Sequence, residues 1–139
     1  MLAVVSGWNI GIEDDEDRAD IAFIDVESST SSGIFIWGVI NSQLWEVHSN
    51  HNGDAGLLIK GKSDNHIFHS SFAHNRSGVM LAGSVRNRIA DSSADENGDG
   101  IVAGPGSRGN HILDCEASNN TGVGVLVNSG SSKNADSCC

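Results

Sequence analysis

Residues 75–103 read NRSGVMLAGSVRNRIADSSADENGDGIVA, and this stretch holds two successive copies of one pattern. In each copy an asparagine, Asn75 or Asn97, is followed three residues later by a glycine and a short alternating apolar segment. Outward from this stretch, the glycine recurs at positions 33, 56, 78, 100 and 124, with spacings of 23, 22, 22 and 24 residues. A period of about 20 to 50 residues is typical of a solenoid and not of a globule.

Two further landmarks recur in phase with the glycines. One is the asparagine series Asn52, Asn75, Asn97 and Asn120, and the other is Asn65, Asn87 and Asn110. The segments between them are short, β-branched and bounded by Asn, Gly and Ser, which indicates strands joined by turns. The sequence therefore predicts an all-β fold, a single-stranded parallel β-helix of about six coils with a repeat of 22 to 24 residues.

Alignment of the repeats predicts which side chains stack inside the solenoid and where the domain ends. Two inward ladders are expected to begin at Ile10 and Ile12, and a third contains Phe23, Leu44, Ile67, Ile89 and Ile112. The asparagines of the series ending in Asn120 are expected to occupy left-handed turn positions and to bond between coils. Residues 1–134 are predicted to form one domain, with 1–8 as an N-terminal cap and 135–139 as a tail.

Length and charge limit the classes of partner. The 139 residues suffice for one domain, and the formal net charge is -10, with 18 acidic against 8 basic residues. Such a field repels phosphate backbones, so nucleic acid is excluded as a partner. No run of about 18 apolar residues occurs, so no membrane partner is expected either. No secretory signal is visible in the first residues.

The pattern Asn-x-Ile followed by Asn-x-x-Gly-Ile-x-Leu, over roughly residues 9 to 134, resembles the right-handed β-helix repeat of the pectate-lyase-like superfamily. That group includes polyuronate lyases, mannuronan epimerases and phage tailspikes. The resemblance implies a polysaccharide partner and an extracellular, cell-surface or virion-associated location. It leaves open whether the chain is an enzyme; if it is, the resemblance implies a lyase, an epimerase or a glycoside hydrolase.

Stacked coils place equivalent outward residues about 5 Å apart, so chemistry is sought in columns. One predicted column contains Asp25, Glu46, His69, Asp91 and Asp114, and another contains Gln43, His66, Arg88 and His111. The candidate catalytic residues are His66, His69, Arg88, Asp91, His111 and Asp114, because proton abstraction beside a uronate carboxylate needs a base and a cation. Trp45, Glu46 and Phe68 are the candidate ligand-binding residues. The alternative is that both columns are solvated edges of alternating charge.

The segment Asp95-Glu-Asn97-Gly-Asp99-Gly100 has the D-x-N-x-D-G spacing of calcium-binding loops. Asp95, Asn97 and Asp99 are therefore the candidate metal ligands, and Ca²⁺ is a possible but not a required cofactor. The alternative is that Asn97 serves the scaffold and the two aspartates are surface residues.

An apolar column is expected on the outside of the other sheet. If Ile34 and Ile36 point inward, alternation sends Phe35 outward. Its equivalents, the candidate interface residues, are Phe35, Leu58, Met80, Val102 and Leu126. Exposed apolar stripes mark contacts with other chains, so a homo-oligomer is expected, unless part of the same chain covers the stripe. The sequence leaves two functions open: a module that binds polysaccharide, with or without processing it, or a structural β-helix that assembles into trimers or fibres.

Overall fold

A computed structural model describes residues 3–15, 17–61 and 64–127, together with the backbone of 135–137. The strands of this described part form two parallel sheets. Sheet A contains β1 (Ala3–Ser6), β3 (Asp20–Glu27), β5 (Gln43–Asn50), β7 (His66–Phe68), β9 (Arg88–Ala90), β11 (His111–Leu113) and β13 (Ala135–Ser137). Sheet B contains β2 (Ile12–Asp14), β4 (Ile34–Trp37), β6 (Ala55–Lys60), β8 (Ser77–Ala82), β10 (Asp99–Ala103) and β12 (Val125–Val127).

The chain alternates between the two sheets, and each strand pairs in parallel with the strand one coil away. The predicted β-helix of about six coils is confirmed. A third, shorter face is marked by the bridges His48↔Ser71, Ser71↔Ser93 and Ser93↔Glu116. No helix long and apolar enough to cross a membrane is found in the described residues.

Both predicted end segments contain sheet strands. Residues 3–6 of the predicted N-terminal cap pair in register with β3, because the β-branched pair Val4 and Val5 suits an edge strand. Residues 135–137, expected to lie in a tail, pair with β11 and continue sheet A. The remaining tail residues, Cys138 and Cys139, lie outside the described part of the chain.

Stacked aliphatic side chains fill the interior. Ile34, Leu57 and Val79 are fully buried and lie in one ladder, and Ile36, Ile59 and Leu81 lie in its partner. The alignment of the first coil with this ladder was wrong by two residues: Ile12, not Ile10, pairs with Ile34. In the third ladder Ile21, not Phe23, pairs with Leu44, and Phe23 is exposed.

Buried asparagines connect the coils at two corners. The N–H of Asn52 donates to Asn75 Oδ1 at 2.9 Å, and the N–H groups of Asn75 and Asn97 donate in the same way to Asn97 and Asn120 at 2.8 Å. We call this series the first Asn ladder. The second Asn ladder runs from Ser42 through Asn65 and Asn87 to Asn110.

The left-handed turn residues precede the asparagines, contrary to the expectation. His51, His74, Glu96 and Asn119, each one residue before the first Asn ladder, have φ of 55° or 56°. The asparagine itself must direct its amide into the interior to bond the next coil, so the preceding residue turns the chain. At this corner the rings of His51 and His74 stack at 4.5 Å.

Coil length varies on one side of the solenoid only. From the second Asn ladder to the first, the chain advances ten residues in each of the steps 42 to 52, 65 to 75, 87 to 97 and 110 to 120. The return steps, 52 to 65, 75 to 87 and 97 to 110, take 13, 12 and 13 residues. The constant ten-residue segment carries the outer face described next.

Candidate functional site

An aromatic platform lies on the outer face of sheet A. Trp45 and Phe68 pair in register on adjacent strands, and their rings stack with centroids 6.1 Å apart and planes 18° apart. The rings of Phe23 and Trp45 make an edge-to-face contact, with centroids 4.5 Å apart and planes 62° apart. Aromatic residues at outward positions of neighbouring coils must stack, because parallel strands lie about 4.8 Å apart. The three rings form one apolar surface that crosses three coils.

A basic column borders the platform on one side. Gln43, His66, Arg88 and His111 pair in register and are all exposed, as the sequence predicted. Farther along this side, both nitrogens of the Arg86 guanidinium fork donate to the Asp64 carboxylate at 2.7 Å. The hydrogen bond from Arg86 lowers the pKa of Asp64 below its ordinary value of 3.8.

An acidic column borders the platform on the other side. Glu46, His69, Asp91 and Asp114 occupy the corner at which the chain turns from the outer face of sheet A to the third face, each with φ between 47° and 52°. The left-handed conformation turns the chain here and leaves these four side chains exposed. Phe23, with φ of 53°, is the member of this column in the preceding coil. The assignment of Asp25 to this column was therefore wrong.

Asp25 belongs to a further column that the sequence alignment missed. Asp25 pairs with His48, and His48, Ser71, Ser93 and Glu116 continue the same register on the third face. We call this series the His48 column. The Nδ1 atom of His48 lies 2.9 Å from Asp25 Oδ1. A count of 23 residues back from His48 would have found this pair, since 23 is the spacing in neighbouring columns.

The acidic column and the His48 column together line an open groove of about 450 Å³. Its wall includes Glu46, His48, His69, Ser71 and Asp91. Asp114, Ser93 and Glu116 extend the groove toward the C-terminal end. The groove therefore offers carboxylates, imidazoles and hydroxyls beside the aromatic platform.

The six candidate catalytic residues form two lines and not one cluster. His69, Asp91 and Asp114 line the groove, whereas His66, Arg88 and His111 lie three residues earlier in each coil. Three residues of extended chain span about 10 Å, and the platform lies between the lines. Bases or acids on one line and the Arg88 cation on the other can thus contact opposite edges of a ligand that covers the platform.

The three candidate calcium ligands make separate bonds between coils. Asp95 Oδ1 accepts the Ser118 N–H at 2.7 Å, and Asp99 Oδ1 accepts the Val123 N–H at 3.1 Å. Asn97 is buried in the first Asn ladder. Among residues 3–15, 17–61 and 64–127, no cluster of three or more His, Cys, Asp or Glu side chains could hold a metal ion. Calcium binding at this loop stays a prediction.

The candidate interface residues lie in one column on the outer face of sheet B, as predicted. Phe35, Leu58, Met80, Val102 and Leu126 pair successively in register. Four of them are half-buried and Val102 is 5% exposed, so the column is less accessible than alternation alone suggests. Trp37, beside it, is 57% exposed, and its ring stacks on Phe35 at 6.4 Å.

Comparisons with known proteins agree with this architecture. A family model described as "Right handed beta helix region" matches residues 5–138. A comparison with curated protein sequences gives no match. Two crystal structures of the periplasmic alginate epimerase AlgG are similar to this chain. The unmutated protein has a TM-score of 0.67 and 16% sequence identity over 98% of this chain. The T265N mutant has a TM-score of 0.63 and 21% sequence identity over 83% of this chain. The chain spans 42% and 27% of the lengths of those two chains.

Proposed function

The chain belongs to the right-handed β-helix family, and from this premise we propose that it binds a polysaccharide along the outer face of sheet A. The observation that carries the proposal is the aromatic platform, in which Trp45 and Phe68 stack between two lines of polar side chains. Sugar rings have apolar faces that pack on aromatic rings and hydroxyl edges that bond to flanking polar groups. The platform offers both kinds of contact, and its length over three coils suits an extended polymer.

The name of the similar enzyme supports the choice of ligand class. AlgG is described as an alginate epimerase, so this solenoid architecture accommodates a protein that acts on a polysaccharide. AlgG is also described as periplasmic, and we propose a location outside the cytoplasm for this chain. Trp45, Glu46 and Phe68 are the proposed ligand-binding residues.

Processing of the bound polymer is the finer part of the proposal. His69, Asp91 and Asp114 provide bases and acids in the groove, and His66, Arg88 and His111 provide hydrogen-bond donors across the platform. An acid or base must lie within hydrogen-bond reach of the proton that it transfers. A sugar ring on the platform would lie between the two lines, so either line could supply that group.

The test is a calorimetric titration against neutral glycans and polyuronates, with and without calcium. Alanine at Trp45 or Phe68 is expected to remove about 1–2 kcal/mol of binding free energy, or about 5- to 30-fold in Kd. Trp37→Ala is the matched control, because Trp37 is an exposed tryptophan on the opposite sheet. Loss of affinity in Trp37→Ala equal to that in Trp45→Ala, or no binding to any glycan, would contradict the proposal.

A second candidate function is self-assembly through sheet B, with a second copy of this chain as the partner. The observation that favours it is the exposed Trp37 ring stacked on Phe35 beside the apolar column. Light scattering at increasing protein concentration measures the mass directly. Leu58→Lys, which puts a charge in the middle of the column, is expected to lower that mass to the monomer; a wild-type chain that stays monomeric refutes this candidate.

A further inference from the structure

The His48 column contains the parts of a nucleophilic hydrolase site in the correct order. Asp25, His48 and Ser71 follow one another in register on three successive coils. A serine nucleophile needs a histidine that accepts its proton and an acidic group that orients the imidazole. From this arrangement we propose that Asp25, His48 and Ser71 form a catalytic triad that hydrolyses small acyl esters.

The orientation of the His48 ring supports this assignment. Its Nδ1 atom lies 2.9 Å from Asp25 Oδ1, on the side of the preceding coil. In an imidazole, Nδ1 and Nε2 flank Cε1 and diverge from each other, so Nε2 points away from Asp25, and the following coil lies on the side of His48 away from Asp25. The residue paired with His48 in that coil is Ser71. The ladder spacing of about 4.8 Å allows a modest side-chain rotation to bring Ser71 Oγ within reach of Nε2.

The hydroxyl groups near the groove differ in their availability. Ser70 and Ser92 are buried, and their hydroxyls donate to the carbonyls of Phe68 and Ala90. Ser71 is half-buried and lines the groove, and its hydroxyl bonds to no other described residue. Ser71 is therefore the hydroxyl in this column that can rotate onto His48 and still meet a ligand.

The column also provides a group for the developing negative charge. Ser93 is the register partner of Ser71 in the next coil and lines the same groove. Its hydroxyl can donate to an oxyanion formed at a carbonyl carbon attached to Ser71 Oγ. The groove is open and shallow, which suits a small acyl group carried on a larger molecule, such as an O-acyl ester of a sugar hydroxyl.

The reaction divides into two balanced steps. Ser71 Oγ forms a bond to the acyl carbonyl carbon, its proton passes to His48 Nε2, and the alcohol leaves with that proton as the carbon–oxygen ester bond breaks. Water then attacks the acyl-serine, with His48 accepting its proton and returning it to Ser71. The products are a carboxylic acid and an alcohol, and no oxidant or further co-reactant is needed. Asp25 keeps its negative charge and acts as a positioning residue for His48.

A reporter-tagged fluorophosphonate and p-nitrophenyl acetate test the proposal without a known natural substrate. The fluorophosphonate is expected to label one residue, Ser71, identified by peptide mass spectrometry, and Ser71→Ala is expected to abolish labelling. His48→Asn is expected to slow both labelling and ester hydrolysis at least about 100-fold. Asp25→Asn is expected to lower kcat while KM and the melting temperature stay unchanged, which a purely structural role would not produce.

The matched control is His51→Asn, an exposed histidine at the next corner that lies outside the groove. This variant is expected to label at the wild-type rate. The proposal is overturned if the folded chain is not labelled, if labelling spreads over several serines, or if Ser71 is labelled equally fast in wild type and His48→Asn. Labelling by the fluorophosphonate does not require a bound glycan, so this experiment tests the triad independently of the aromatic platform.

Discussion

Replacement of Asn97 by alanine tests whether the first Asn ladder stabilises the solenoid. Asn97 is 2% exposed, its Oδ1 accepts the Asn75 N–H at 2.8 Å, and its Nδ2 donates to the Phe72 carbonyl at 2.9 Å. Alanine leaves this buried N–H and this carbonyl without partners. Each such group costs about 1–3 kcal/mol, so the free energy of unfolding is expected to fall by about 2–6 kcal/mol.

Urea unfolding followed by circular dichroism measures this change. A slope of about 2 kcal/mol per molar urea converts a loss of about 4 kcal/mol into a midpoint about 2 M lower. The control is Asn9→Ala, because Asn9 is an exposed asparagine whose side chain accepts a hydrogen bond from the Thr30 hydroxyl at 3.2 Å. Surface changes of this kind are typically within about 0.5 kcal/mol. Equal midpoints for the two variants would refute the structural role of the ladder.

Three further outcomes are expected. Gly78→Ala should lower the free energy of unfolding by about 1–3 kcal/mol in the same urea assay, because its Cβ would lie 2.7 Å from Ala94 Cβ and 2.8 Å from the Gly100 carbonyl; an unchanged midpoint would contradict this. Asp95→Ala should lower the free energy of unfolding by about 1–2 kcal/mol, equally in calcium and in chelator, because the Ser118 N–H loses its acceptor. A decrease in stability seen only in calcium would instead support the predicted calcium site. Arg86 lowers the pKa of Asp64, so the ion pair stabilises the folded chain at pH values above 3.8, the ordinary pKa of the carboxyl. This stabilisation is lost as the pH falls through the lower pKa of the folded chain, so the melting temperatures of wild type and Arg86→Ala should converge in acid. A difference that persists in acid would refute the pairing.

Periodicity predicts much of the fold because each coil repeats the same constraints. Leu44, Ile67, Ile89 and Ile112 could be placed in one ladder from their spacing, and the structure confirms their register. The columns that contain His66 and His69 could be predicted for the same reason.

The wrong placements of Phe23 and Asp25 occur where the two-residue alternation of β3 is interrupted. Phe23 adopts a left-handed conformation, so the side chains before and after it do not follow a simple two-residue period. Ile21 and Ile24 both pack against the core, and Asp25 moves to the column of His48. A pattern based on apolar alternation cannot anticipate a corner inside the long strand β3, whereas a count of residues from the next coil can.

The constant ten-residue segment has a consequence for how the chain tolerates change in length. The platform and groove lie on that segment, and the one-residue differences among coils fall on the return path, including residues 104–109. An insertion in that return loop lengthens one coil without altering the register of the face that carries Trp45, His48 and His69. Loops of different length, or a grafted binding peptide, can therefore be introduced there while the outer face of sheet A keeps its spacing.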